Sequence, residues 1–179
     1  MSLNITAFSL RTLRNGALPL TPLLDATAGA TVVALGAQSG PIPGPCLIRL
    51  IADEDQRISA SKAAGYVAII NNRPDAEEAG QPSGDEIRAA AEDAGLAYSA
   101  IPVTHAGFSH PQLDAMAAAL IAADGPVLAY CRSGTRSCNL WALAAAKAGR
   151  NPDVLLLQAE GAGYDLTGLR PTLEALAAA

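Results

Sequence analysis

The stretch "LAYCRSGTRSCNLWALAAAKAG" (128–149) sets a thiol, a glycine and two arginines between an apolar run and an alanine-rich segment. Cys131 ends the run "PVLAY", and Arg136 follows after four intervening residues. A thiol at a strand end that opens a helix lies among free backbone N–H groups, near the positive end of the helix dipole. Both favour thiolate over thiol, as does a nearby guanidinium. Gly134 permits backbone angles that turn successive N–H groups inward as an anion-binding nest. The backbone of Arg132, Ser133, Gly134 and Thr135 would then hold an anion, with Arg136 offering its planar fork of donors to a tetrahedral oxyanion. Ser137 is placed to cap the helix or to hydrogen-bond the thiolate. The Arg132 side chain is expected to point outward, either recruiting an anion or simply solvated. The chemistry this spacing suits is a nucleophilic sulfur presented to a bound anion.

Other residues could support such a loop. Asn72 and Arg73 follow the apolar run "YVAII" and could hold the cysteine loop or line its rim. Asp75 in the same loop and His105 in "THAGFSH" (104–110) are the candidates for a general acid, since that second loop has no carboxylate. Each has a plainer reading, a turn residue for Asp75 and a loop histidine for His105. Cys138 could resolve an oxidised Cys131 as a disulfide, although packing is the simpler role. Cys46 and Trp141 read as structural.

These residues need elements to position them. "YVAII" (66–70), "AYSAIPV" (97–103) and "PVLAY" (126–130) read as short buried strands. Between them lie helical stretches: "DEDQRISASKAAG" (53–65), "SGDEIRAAAEDAG" with Ser83 and Glu86 at capping-box spacing, and "SHPQLDAMAAALIAADG" with Ser109 as N-cap. Asn151 and Pro152 open a further helix, and "LTGLRPTLEALAAA" a last one. The alternation predicts an α/β fold, a mostly parallel sheet flanked by helices. Ligands of such sheets sit beyond the carboxyl ends of the strands, which points to 71–75, 104–108 and 131–137. "TVVAL" and "CLIRLI" read as strands ahead of this unit. The expected division is an N-terminal extension over 1–45, contributing extra strands, and an α/β domain over 46–179.

Composition bounds the function. The chain has 179 residues, half of them hydrophobic, and a net charge of −5. With no basic stripe, nucleic acid and anionic membrane are not expected partners. The longest apolar run is too short to span a bilayer, and the start lacks a signal-peptide pattern. Three cysteines without a CxxC pair, beside two histidines, argue against a disulfide scaffold or a zinc site. A cytoplasmic protein with reduced thiols, no metal and no organic cofactor is expected.

Two enzyme designs resemble the cysteine loop. Cysteine-dependent phosphatases place five residues between Cys and Arg, and rhodanese-like sulfurtransferases place four, as in "CRSGTR". More of the chain carries a likeness. "AIINNRPDAEEAGQPSGDEIRAAAEDAGLAYSAIPV" and the tail "AGYDLTGLRPTLEAL" resemble the bacterial beta-lactamase-hydrolase-like phosphatase-like domain family, also labelled a sulfur transferase family, over roughly 46–178. That resemblance implies a dual-specificity-phosphatase-like fold. It also implies a link to sulfide metabolism, with a metallo-β-lactamase-like persulfide enzyme as a partner. Two activities are therefore expected candidates. The first is sulfur transfer from a small anionic donor through a Cys131 persulfide to a thiol acceptor such as glutathione. The alternative is hydrolysis of aryl or protein phosphate esters. A non-catalytic persulfide sensor using Cys131 and Cys138 is the third reading.

Overall fold

The structure is a computed structural model that describes residues 58, 61–63 and 65–179 in full, and 30–35 and 45–50 at the level of the backbone. The readings of the other N-terminal residues and of the Cys46 side chain lie outside the described residues. So does most of the helix expected over 53–65, of which 58 and 61–63 are helical.

One five-stranded sheet organises the fold, in the order β2-β1-β5-β3-β4. The strands are β1 (Ala30–Leu35), β2 (Pro45–Leu50), β3 (Ala68–Asn71), β4 (Ala97–Ala100) and β5 (Val127–Tyr130). β3 pairs in parallel with both β4 and β5. β1 pairs antiparallel with β5 on one side and with β2 on the other. The sheet thus has a parallel three-stranded half and an antiparallel rim, and a division of the chain after residue 45 cuts β2 at its first residue.

Besides the helical residues 58 and 61–63, the described helices are α1 (Gly84–Asp93), α2 (His110–Ala122), α3 (Thr135–Lys147), α4 (Pro152–Gly161) and α5 (Arg170–Ala177), with a short 3₁₀ turn over Thr167–Leu169. Their starts follow the sequence signals. Ser83 and Glu86 form the expected capping box, the Gln112 side chain accepts from Ser109 N and Oγ at 2.8 and 2.9 Å, and Asn151 accepts from Asp153 N at 2.8 Å. Each satisfies backbone donors that a helix start leaves open.

Alternation along the strands sorts the core. Ala68 and Ile70 of β3, with Val127 and Ala129 of β5, join α2, α3, α4 and α5 in one apolar cluster. Ile69 and Leu128 point the other way and are buried too, so both faces of these two strands are covered. α3 is buried along most of its length, and Trp141 is fully enclosed. That packing fixes the helix whose first turn carries the cysteine loop. No described helix is long and apolar enough to cross a membrane.

Candidate active site

Parallel pairing sets the carboxyl ends of β3 and β5 side by side, with Asn71 opposite Tyr130. Asn72 stitches the strand ends together. Its N–H donates to Tyr130 O at 2.8 Å, its carbonyl accepts from Val103 N at 3.0 Å, and its Nδ2 donates to Ile101 O at 3.0 Å. It is fully buried, with Oδ1 left without a hydrogen-bond partner. The residue just before the nucleophile is therefore tied across three strands.

Cys131 follows directly and is fully buried at the base of the loop. Its Sγ accepts from Gly134 N at 3.1 Å. Gly134 is the N-cap of α3 with φ of +82°, a left-handed angle that a side chain would strain. The role expected of Ser137 as helix cap is thereby corrected. Gly134 holds the cap position, Ser137 lies inside the first turn, and its buried Oγ has no hydrogen-bond partner. Ser133 Oγ donates to Thr135 Oγ1 at 3.1 Å and accepts from Thr135 N at 3.4 Å. Tyr164, beyond α4, donates its hydroxyl to Ser133 O at 3.3 Å.

Arg136 is largely buried and points across the loop. Nη1 donates to Val103 O at 2.9 Å. Glu77 accepts a bidentate pair, Nη1 to Oε1 at 2.7 Å and Nη2 to Oε2 at 3.0 Å. Arg73 donates to the same Glu77 at 2.8 Å and to Glu78 at 2.6 Å. Arg132 is exposed, as expected, with Nη2 4.0 Å from Glu78. Alternating charges thus run from Arg136 through Glu77, Arg73 and Glu78 to Arg132, joining the loop after β3 to the loop after β5.

The charge states follow from these contacts. Hydrogen bonding to Arg136 leads in holding the Glu77 carboxyl below its ordinary value, with Arg73 adding to it and burial opposing. Burial would lower the Arg136 guanidinium, but hydrogen bonds and charge attraction from Glu77 and Cys131 leave it above its ordinary value. Burial pushes the Cys138 thiol up to about 12, with the neighbouring Cys131 contributing. Burial also raises the Tyr164 hydroxyl. Cys131 and Cys138 are both free.

The structure gathers Cys131, Arg132, Ser133, Gly134, Thr135, Arg136, Asn72 and Arg73 at one end of the sheet. Asp75 does other work. Its Oδ1 accepts from Gly84 N at 2.7 Å, holding the start of α1. His105 lies exposed in the turn after β4. The sequence reading does not single out Glu77, Val103 or Tyr164. For Glu77 a signal exists in "PDAEEAG": an acidic pair in the loop that follows a strand, where ligand-side residues of such sheets gather. Among the described residues, no group of His, Cys, Asp and Glu is arranged to hold a metal ion.

Sheet, helices and strand-end loop together define a phosphatase-like α/β domain. Residues 50–148 match the family described as "Beta-lactamase hydrolase-like protein, phosphatase-like domain", and the chain belongs to that family. Curated relatives include the Beta-lactamase hydrolase-like protein of Xylella fastidiosa (strain Temecula1), 41% identical over 103 residues that cover 57% of this chain and 24% of the relative. Its counterpart in Agrobacterium fabrum (strain C58) is 41% identical over 88 residues, 49% of this chain and 20% of the relative. The chain thus spans between a fifth and a quarter of the length of these relatives. Among solved structures, a Neisseria meningitidis Z2491 protein described as a "putative phosphatase" is similar with a TM-score of 0.57 and 33% identity, covering 69% of this chain and 85% of that one. A Shewanella putrefaciens CN-32 protein described in the same words has a TM-score of 0.53 and 25% identity, covering 71% and 83%.

Proposed function

We propose that this domain is a cysteine-thiolate sulfurtransferase. The observation that carries the reading is the state of the carboxylates around the loop. Departure of an alkoxide from a phosphate ester calls for a proton donor within hydrogen-bond reach. Glu77 is bound to two guanidinium groups and held in its ionised form. Asp75 is engaged with the start of α1. The loop after β4 brings no carboxylate. Sulfite leaves as an anion and has no such need. The four-residue interval between Cys131 and Arg136 supports the same reading, because a shorter loop encircles a phosphate less fully.

In the proposed reaction the Cys131 thiolate attacks the outer sulfur of thiosulfate. A Cys–S–S bond forms as the bond to sulfur of the sulfonate group breaks, and sulfite departs with the electron pair. The Cys131 persulfide anion then yields its outer sulfur to an acceptor thiolate, such as glutathione, and the Cys131 thiolate returns. The Arg136 guanidinium and loop N–H groups hold the anionic end of the donor. A metallo-β-lactamase-like persulfide enzyme is the proposed downstream partner, in a cytoplasm that keeps both thiols reduced.

The family description and the solved neighbours favour a second reading, a cysteine-dependent phosphatase. One comparison separates the two: kcat/KM for thiosulfate:cyanide transfer against p-nitrophenyl phosphate hydrolysis, with mass spectrometry of Cys131 after thiosulfate. Sulfur transfer predicts the faster first reaction and one added sulfur on Cys131. A preference for the phosphate ester, with no persulfide formed, gives the site to the phosphatase.

A further inference from the structure

An arginine side chain has five N–H donors in a fixed plane, and at Arg136 three of them are assigned. Glu77 takes one from each terminal nitrogen, and the Val103 carbonyl takes the other on Nη1. The two that remain are Nε–H and the second hydrogen of Nη2. In a planar guanidinium these lie parallel on one edge, which is the edge that matches two oxygens of an anion. Arg136 closes the same loop in which Gly134 N donates to Cys131 Sγ at 3.1 Å, so this unassigned edge is what the guanidinium has left for a ligand of that loop. From this geometry we propose that Glu77 is a positioning residue: it grips the far end of Arg136 so that the Nε/Nη2 edge is aimed at an anion above Cys131.

Three observations support the assignment. Glu77 is itself fixed, since Arg73 donates to its Oε2 at 2.8 Å and holds Glu78 with its other arm. Its side chain is only 17% exposed, and that of Arg73 10%, so water competes weakly for the pair. The Val103 carbonyl supplies a second fixed point on the guanidinium. Two fixed points on a rigid plane determine its orientation. Without the carboxylate, Arg136 keeps only the Val103 contact and is free to turn its fork away from the loop. This role rests on the reading of the 131–136 loop as an anion site, and it holds for a sulfonate or a phosphate alike.

The test therefore uses an unreactive anion. Sulfate binding is measured by isothermal titration calorimetry on the full chain, with melting temperature as the folding check. Wild-type protein should show saturable binding at one site. Glu77→Gln keeps the shape but sets an amide N–H₂ against the guanidinium, and should raise the sulfate Kd about tenfold or more, the scale of one hydrogen bond to a charged group. Arg136→Lys should do the same. The double variant should be no worse than Arg136→Lys alone, because Glu77 acts only through Arg136. A purely structural Glu77 gives additive losses instead, and additivity or an unchanged Kd in Glu77→Gln overturns the proposal. Should Glu77→Gln fail to fold, Glu77→Asp replaces it. That variant keeps the charge one methylene further back, and is expected to give a smaller rise that is again not additive with Arg136→Lys. Failure of sulfate to bind the wild-type protein removes the anion site and the proposed function with it. An unchanged sulfate Kd in Glu77→Gln removes only the positioning role.

Discussion

Two loops flank the cysteine loop at the same end of the sheet, and they serve it differently. The one after β3 sends a chain of ion pairs, Arg73, Glu77 and Glu78, into contact with Arg136 and Arg132. The one after β4 contributes a backbone carbonyl from Val103, while Thr104 and His105 stay exposed. Carbonyl and carboxylate both orient Arg136, but only the first loop brings charge. The difference teaches that side-chain chemistry near a nucleophile can be aimed at orienting a donor rather than at moving a proton.

The largest effect that tests this contrast is at the nucleophile itself. Cys131→Ser should lower whichever activity the protein shows by about 10³-fold or more, whereas His105→Ala should change it by less than about twofold. A loss of about 10² in His105→Ala, the range of general acid catalysis, would make the second loop a proton donor and overturn the contrast. Arg73→Gln comes next. It frees Glu77 on one side and leaves Glu78 only its 4.0 Å pairing with Arg132, and kcat/KM should fall about tenfold through misplacement of Arg136. Steady-state kinetics of the three variants measures all of this.

pH sharpens the comparison further. Glu77, held low by Arg136 and Arg73, stabilises the fold fully above its ordinary value of 4.5, and that contribution is lost as pH falls through its lower folded value. The difference in melting temperature between wild type and Glu77→Gln should therefore shrink in acid. Cys138 has the opposite sign. Its folded value near 12 lies above an ordinary 9.0, so its contribution is present below about 9 and is lost as pH rises toward 12. Cys138→Ala should lose less of its melting temperature than wild type between those two values. The smallest expected effect lies away from the loops. Ser83→Ala removes the cap of α1 and should cost about 1 kcal/mol by denaturant unfolding, leaving kcat/KM unchanged.

Much of this arrangement is legible in the chain because short-range rules govern it. Capping at Ser83, Ser109 and Asn151, and glycine at 134, each depend on neighbours a few residues away. β4 ends at Ala100 rather than at 103 because the register slips: Ile101 N still donates to Asn71 O, but Val103 N donates to Asn72 O, one residue short of the ladder position. The parallel half of the sheet follows from the alternation of strands and helices. The antiparallel place of β1 beside β5 does not, as nothing local to "TVVAL" names its partner. Glu77 escapes for the same reason. Its acidic pair reads as a solvated turn until a strand pairing sets it against Arg136. Asp75 looks the better candidate in the sequence, and the difference lies in a helix start that takes its carboxylate.

The Glu77–Arg136 contact spans 59 positions of chain, and α1, β4 and α2 are all threaded between. Contacts so distant wait on closure of the intervening loop, and topologies rich in them fold slowly. The cysteine pocket is therefore expected to close late, after the helices around it have begun to form. Until then Cys131 and Cys138 have equal access to solvent. A pulse of alkylating reagent early in refolding should mark both sulfurs, and a later pulse should mark both far more slowly, since each is enclosed in the folded domain. Shelter of the two thiols is acquired during folding, at the moment β3 and β5 meet.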